Sequence, residues 1–312
     1  MAFKPKKIIP VLLSAALFIT GNTVYIPQTV NAASVKSYVL TPGEQKEIQL
    51  DGKGAKEKIM YTFEDTGTGE TDEYYDEEYY KHTLALTING DVVFEESVTK
   101  LFNPETKGEV YITDIDKSDK VMDIFIAMYD KEYVSKYDVL YYCQYRDGKF
   151  VKVQDLKKYL YSGVLDCFGK SDMGNCHVWY GGLSKSISTS GDKKLNVIVC
   201  GFTDISDADW GGYFHGNFTL KLKNGKLKKA YKYPEGDIIQ CDFDGGLSSK
   251  CTFYNKPGSS KKVFTAKKGE AVKISAYRYI KNKLYIKAIN KNKAEGWVSG
   301  KKVFKNTGTL HA

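Results

Sequence analysis

Apolar and polar residues alternate in short runs along most of this chain, and clusters of Gly, Asn, Asp and Lys separate the runs. A period of two places alternate side chains on one face, so the pattern predicts β-strands and almost no helix. The 24 Tyr and 15 Phe, with many Val, Ile and Thr, fit a pleated surface and reinforce that reading. The expected class is all-β.

The runs also recur. A polar turn, a strand, a variable loop and a closing hairpin follow one another three times. "LDGKGAKEKIMYTFED" from Leu50 leads to "HTLALTINGDVVFEESV" from His82. "DIDKSDKVMDIFIAMYD" from Asp114 leads to "DVLYYCQYRDGKFVKVQDL" from Asp138, and "STSGDKKLNVIVCGFTD" from Ser188 leads to "NFTLKLKNGKLKKAYKY" from Asn217. The closing turns Asn89-Gly90-Asp91, Arg146-Asp147-Gly148 and Asn224-Gly225 are two-residue hairpin signals. Opening turns about 64 and 74 residues apart leave room for about four strands per unit, the size of one propeller blade.

These units resemble degenerate calcium-loop β-propeller repeats of the integrin-head, FG-GAP-like type, whose motif, roughly D-x-[DN]-x-D-G-x-x-D, corresponds only to the start of each unit and is mostly replaced there. The resemblance implies a propeller-like antiparallel repeat domain over residues 33–245, incomplete at about three units. Residues 33–48 and the 158–185 insertion could add strands, and a twisted sandwich is the competing architecture. From Phe253, "FYNKPGSSKKVFTAKKGEAVKISAYRYIKNKLYIKAINKNKAEGWVSGKKVF" resembles the bacterial SH3-like small barrel. Its landmarks are Asn255 and Pro257 before a Ser-rich loop, Gly269 opening a strand, "LYIKAIN", and a closing "GWV" from Gly296 to Val298. That resemblance assigns residues 246–312 to a barrel that binds cell wall or peptide in secreted bacterial proteins.

Set against a calcium loop, Asp114 and Asp116 fall at the first and third ligand positions and Ser118 at the fifth, with Asp123 one residue late. Calcium takes roughly six to eight oxygens, and Asp119 stands where the loop glycine belongs. The set is a degenerate calcium loop, or else a polar turn entering a buried strand. The polar turn is the preferred reading, so no cofactor is expected, with calcium as the alternative.

The six cysteines, Cys143, Cys167, Cys176, Cys200, Cys241 and Cys251, permit three disulfides in an exported protein. Short spacing favours Cys167–Cys176 and Cys241–Cys251, which leaves Cys143–Cys200. "DCFG" and "CHVWYGG" also offer Cys167 and His177 as a cysteine-peptidase pair, similar to papain-like peptidoglycan endopeptidases. The histidine follows too closely and no helix is expected to activate the thiolate, so the staple is preferred. "TDISDADWGGYFHG" gathers Asp204, Trp210, Tyr213 and His215 in one loop, a candidate glycan site in which Trp210 and Tyr213 would supply the aromatic platform. "EDTGTGETDEYYDEEYYK", Glu64 to Lys81, carries eight carboxylates and is expected to be a solvated loop or a dock for a basic partner.

Charge and the N-terminus complete the picture. Lys4, Lys6 and Lys7 precede an apolar run, and Val30 and Ala32 are the small residues of a cleavage site, so residues 1–32 read as a signal peptide. No later segment has the length and apolarity of a transmembrane helix. The expected location is secreted, extracellular or at the cell surface. From Cys251 onward 15 Lys and Arg face two Glu, a net of +13, which leaves a net acidic body before it. A basic end on an exported protein suggests bacterial cell wall or another anionic envelope polymer rather than nucleic acid. Lys261, Lys262, Lys267, Lys268, Lys287 and Trp297 are the candidate contacts, although Trp297 also reads as core. The expected function is non-catalytic, with the basic barrel binding the envelope and the repeat domain serving as display or binding scaffold.

Overall fold

The computed structural model describes residues 35–72, 77–101, 106–130, 137–160, 182–203, 212–231, 235–247 and 249–299. The segment expected to be a signal peptide lies outside them. The alternating runs form three antiparallel sheets, and the all-β expectation holds.

Strand β1 (Ser37–Val39) precedes a meander of β2 (Lys46–Ile48), β3 (Glu57–Thr71), β4 (Glu78–Ile88) and β5 (Asp91–Leu101), which is the first sheet. A second meander, β6 (Thr106–Thr113), β7 (Asp123–Asp130), β8 (Tyr137–Arg146) and β9 (Lys149–Asp155), forms the central sheet, and β1 adds to it alongside β6. Helical residues 156–160 and the single turn Leu183–Ser186 precede a third meander of β10 (Ile187–Thr189), β11 (Lys194–Thr203), β12 (Gly212–Lys223) and β13 (Lys226–Lys229). Each of these three meanders has four strands among the described residues.

The third sheet does not stop there. β14 (Glu235–Gly246) pairs with the first half of β12 and then with β17 (Ala271–Ile280). Beyond β17 the order is β18 (Lys283–Ile289), β19 (Glu295–Ser299), β15 (Cys251–Tyr254) and β16 (Lys262–Ala266). Backbone hydrogen bonds therefore cross residue 246, the expected start of the barrel.

Layering follows from β7. Its sequence "DIFIAMYD" does not alternate, because both faces are covered. Ile124, Ile126 and Met128 enter one core with Ile59, Leu84 and Leu86 of the first sheet. Phe125, Ala127 and Tyr129 enter a second core with Leu195, Val197, Phe218 and Leu220 of the third sheet. A strand buried on two faces needs a continuous apolar run.

The three closing turns match expectation. Asn89-Gly90, Asp147-Gly148 and Asn224-Gly225 all have positive φ at both residues, the signature of type I′ turns, whose twist suits a hairpin. The acidic segment differs from the expected loop. Its strands extend the β3–β4 pair outward, with Thr66 opposite Lys81 and Thr71 opposite Glu78 around a bulge. Thr68 Oγ1 donates to Tyr79 O at 2.9 Å and the Gly69 N–H donates to Glu78 Oε1 at 2.9 Å. Residues Glu64 to Thr71 are exposed, so this ribbon is held by cross-strand bonds rather than by a core.

Double burial has a measurable consequence. Phe125→Ala and Ile126→Ala point into different cores, and each is expected to cost about 3–5 kcal/mol in urea denaturation. In a strand with one wet face, one of two adjacent positions would tolerate alanine.

Candidate functional site

The opening turns are where the sequence placed metal chemistry. Asp51, Asp116 and Asp192 occupy equivalent positions in the three units. Asp51 Oδ1 accepts the Lys53 N–H at 2.8 Å. Asp116 Oδ1 accepts the Ser118 N–H at 3.2 Å and the Ser118 hydroxyl at 2.6 Å, while Lys193 Nζ lies 3.2 Å from Asp116 Oδ2. Burial works against the Asp116 anion, but the Ser118 donors and Lys193 hold its carboxyl below the usual range.

A second carboxylate closes each of the first two turns from the following strand. Glu57 Oε2 accepts the Leu50 N–H at 2.7 Å, and Asp123 Oδ2 accepts the Ile115 N–H at 2.9 Å. Asp123 also receives the Tyr142 hydroxyl at 2.7 Å and Gln144 Nε2 at 2.9 Å. The turns then bond to each other. Met122 N donates to Leu50 O at 2.7 Å, Lys117 N to Gly191 O at 3.2 Å, and Lys193 N to Ile115 O at 2.8 Å. Asp114 is the exception, since its buried Oδ1 has no partner, and burial together with Asp119 raises its carboxyl. Of the expected calcium ligands, Asp116 and Asp123 spend their oxygens on protein donors. Among the described residues no group of three or more His, Cys, Asp or Glu side chains is placed to hold a metal ion.

The basic candidates separate into two places. Lys261 and Lys262 stand at the start of β16, and Lys267 and Lys268 follow its end, roughly 15–20 Å away at strand rise. All four are exposed. On β19 the burial alternates, with Gly296 and Val298 inside and Trp297 half-exposed outside. Trp297 is thus a face residue and not core. A Cβ on Gly296 would lie 2.7 Å from Phe253 Cβ, which explains the glycine of "GWV". Trp297 stands opposite Lys287 on β18 and Tyr254 on β15, and the Arg278 guanidinium lies 5.2 Å from its ring. Tyr285 on β18 faces Arg278 across the β17–β18 pair. Lys287 also pairs with Glu295. Two aromatic neighbours and the arginine were not singled out in the sequence, although alternation in "LYIKAIN" and "YRYI" could have placed them beside Trp297.

Cysteine pairing differs from expectation. Cys143 and Cys251 are buried free thiols. Cys143 lies in the core between the first and central sheets, whereas Cys200 is on β11, in the sheet across the central layer. The Cys143–Cys200 bridge is therefore not formed, and burial pushes the Cys143 thiol up to about 12. Cys251 belongs to the other core and is not joined to Cys241. Cys167, Cys176, His177, Asp204 and Trp210 lie outside the described residues, and Tyr213 and His215 are placed only by backbone, on β12.

One polar pair escaped the sequence reading. His82, buried against Phe63, donates from Nδ1 to Asp65 Oδ1 at 2.6 Å, and its Nε2 has no partner. Both residues continue the core-facing rows of β3 and β4, where alternation calls for apolar side chains. Nearby on β5, Lys100 pairs with Asp130 at 2.8 Å and with Asp138. These groups tie the first sheet to the central one.

Comparison of the chain with protein-family models, with curated proteins and with solved structures finds no match. Fold and site define an all-β protein of layered antiparallel sheets with an outward basic and aromatic face.

Burial, countered by three donors, pushes Asp123 up to about 6 from an ordinary 3.8. The folded chain then holds this proton more tightly than the unfolded chain. Its contribution to stability, about 3 kcal/mol, is complete below about pH 4 and is lost as pH rises through about 6. Asp123→Asn should flatten that part of the stability profile in denaturation at pH 4–7. It should also cost about 1–3 kcal/mol at pH 7, because a carboxamide cannot accept all three donors.

Proposed function

We propose that this is a secreted, non-catalytic protein that binds the bacterial cell wall or another anionic envelope polymer through its C-terminal strands. The observation that carries the reading is the pairing of exposed lysines with an aromatic face. Lys261, Lys262, Lys267 and Lys268 offer charge, and Trp297, Tyr254 and Tyr285 with Arg278 offer rings and a guanidinium on the same sheet. Polyanions are drawn by the first, and sugar rings or planar anions stack on the second.

Five strands with Phe253, Ala266, Ile286, Ala288 and Val298 inside support the SH3-like barrel reading of residues 246–312. Three four-stranded meanders support blades of an incomplete propeller acting as scaffold.

The test is co-sedimentation of the whole secreted chain with purified bacterial cell walls. Binding is expected at about 0.05 M salt and strong loss at about 1 M, where the screening length falls to roughly 3 Å. The quadruple variant Lys261→Glu, Lys262→Glu, Lys267→Glu, Lys268→Glu should lose at least about tenfold in affinity. Equal sedimentation of this variant and the parent protein overturns the proposal.

A further inference from the structure

Among the described residues, two strand edges of opposite charge are left without a strand neighbour. On the first sheet, β2 covers only Glu57, Lys58 and Ile59 of β3, and Gly43 N reaches Tyr61 O at 2.8 Å. Among the described residues, nothing pairs with the outer edge of β3 from Thr62 to Thr71. That edge carries Glu64, Asp65 and Glu70 and no lysine. On the third sheet, β16 ends the strand order and pairs only with β15 among the described residues. It is bracketed by Lys261, Lys262, Lys267 and Lys268, and Val263 at its start is 41% exposed.

Unpaired edges are templates for another strand, and charges on them discourage pairing with a like edge. Two acidic edges repel each other, as do two basic ones. An acidic edge and a basic edge attract. The lysines bracket β16 at both ends, and Glu64 precedes the β3 bulge while Glu70 lies within it. Charge complementarity, rather than a fixed register, selects this pairing. Within one chain the central sheet stands between the first and third sheets, so the partner edge belongs to another molecule.

We propose that the acidic edge of β3 in one copy pairs with the basic edge of β16 in the next, so that copies associate head to tail. Such an interface is heterologous, with a different surface on each side, and it propagates rather than closing as a two-fold dimer. It uses lysines that the envelope reading also uses, but the acidic ribbon plays no part in that reading.

The experiment is multi-angle light scattering with hydrogen exchange on the whole secreted chain. At about 0.05 M salt the mass is expected to rise with concentration, and at about 1 M it should fall to the monomer. Amides at 64–71 and 262–266 should exchange more slowly in the associated state. Glu64→Lys/Glu70→Lys and Lys262→Glu/Lys268→Glu should each remain monomeric. Their equimolar mixture matches both kinds of edge, one native and one charge-reversed, so association should return with the two variants alternating. The ribbon variant should still sediment with cell walls, which separates this proposal from the envelope reading. A parent protein that stays monomeric at low salt overturns the proposal. So does a ribbon variant that associates like the parent, or association without slower amide exchange.

Discussion

The structure depends on covering β7 from both sides. One eight-residue strand supplies Ile124, Ile126 and Met128 to one core and Phe125, Ala127 and Tyr129 to the other. Neither outer sheet has a second apolar layer of its own on that scale, so each needs the central sheet to bury its inner face. At roughly 25 cal/mol per Å² of apolar surface removed from water, this shared layer is the largest favourable contribution available to the fold. The same requirement explains why several polar groups beside it are engaged. Glu109 accepts the Leu183 N–H at 2.8 Å and the Tyr129 hydroxyl at 3.3 Å, and Tyr137 donates to Ser186 at 3.2 Å. Without partners, such groups would cost more than the neighbouring apolar contacts return.

Stacking sheets leaves their ends to be joined, and the opening turns do this work. Each turn bonds by main chain to the turn of the next unit, while Glu57 and Asp123 fix the turn from the strand that follows. A calcium loop achieves order by gathering carboxylates around a cation. Here N–H, O–H and ammonium donors fill the same lone pairs of Asp116 and Asp123, and Lys193 stands where positive charge is wanted. Such a turn is ordered without an ion where the adjacent turn supplies donors.

Alternation, turn chemistry and repeat spacing made the strands and hairpins legible because these are local. Asn89-Gly90, Asp147-Gly148 and Asn224-Gly225 needed only the demand of a type I′ turn for positive φ. The unbroken run of β7 announced burial on two faces, yet nothing local said which sheets would cover it. The acidic ribbon was misjudged because its charge suggested solvation, while its strand pairing is inherited from the buried half of β3 and β4. Cysteine pairing failed for a related reason. Spacing ranks partners along the chain, but Cys143 is turned to the face of the central sheet away from β11, and one residue of register decides that. The aromatic neighbours of Trp297 come from three different strands, so only the sheet order assembles them.

What remains for contact with other molecules is set by what the layers do not consume. The two cores use the inner faces, and the seams use the turn carboxylates. Free of both are the ribbon, the edge of β16 and the outer face of β18–β19–β15. These three places hold the exposed acidic stretch, the paired lysines and the half-exposed rings. Their chemistry is opposed in sign across the molecule, negative on the first sheet and positive on the third. A chain whose purpose was only to fold would gain nothing from that separation, since self-repulsion within each region slightly opposes the compact state. The separation is useful if each pole meets a partner of the other sign.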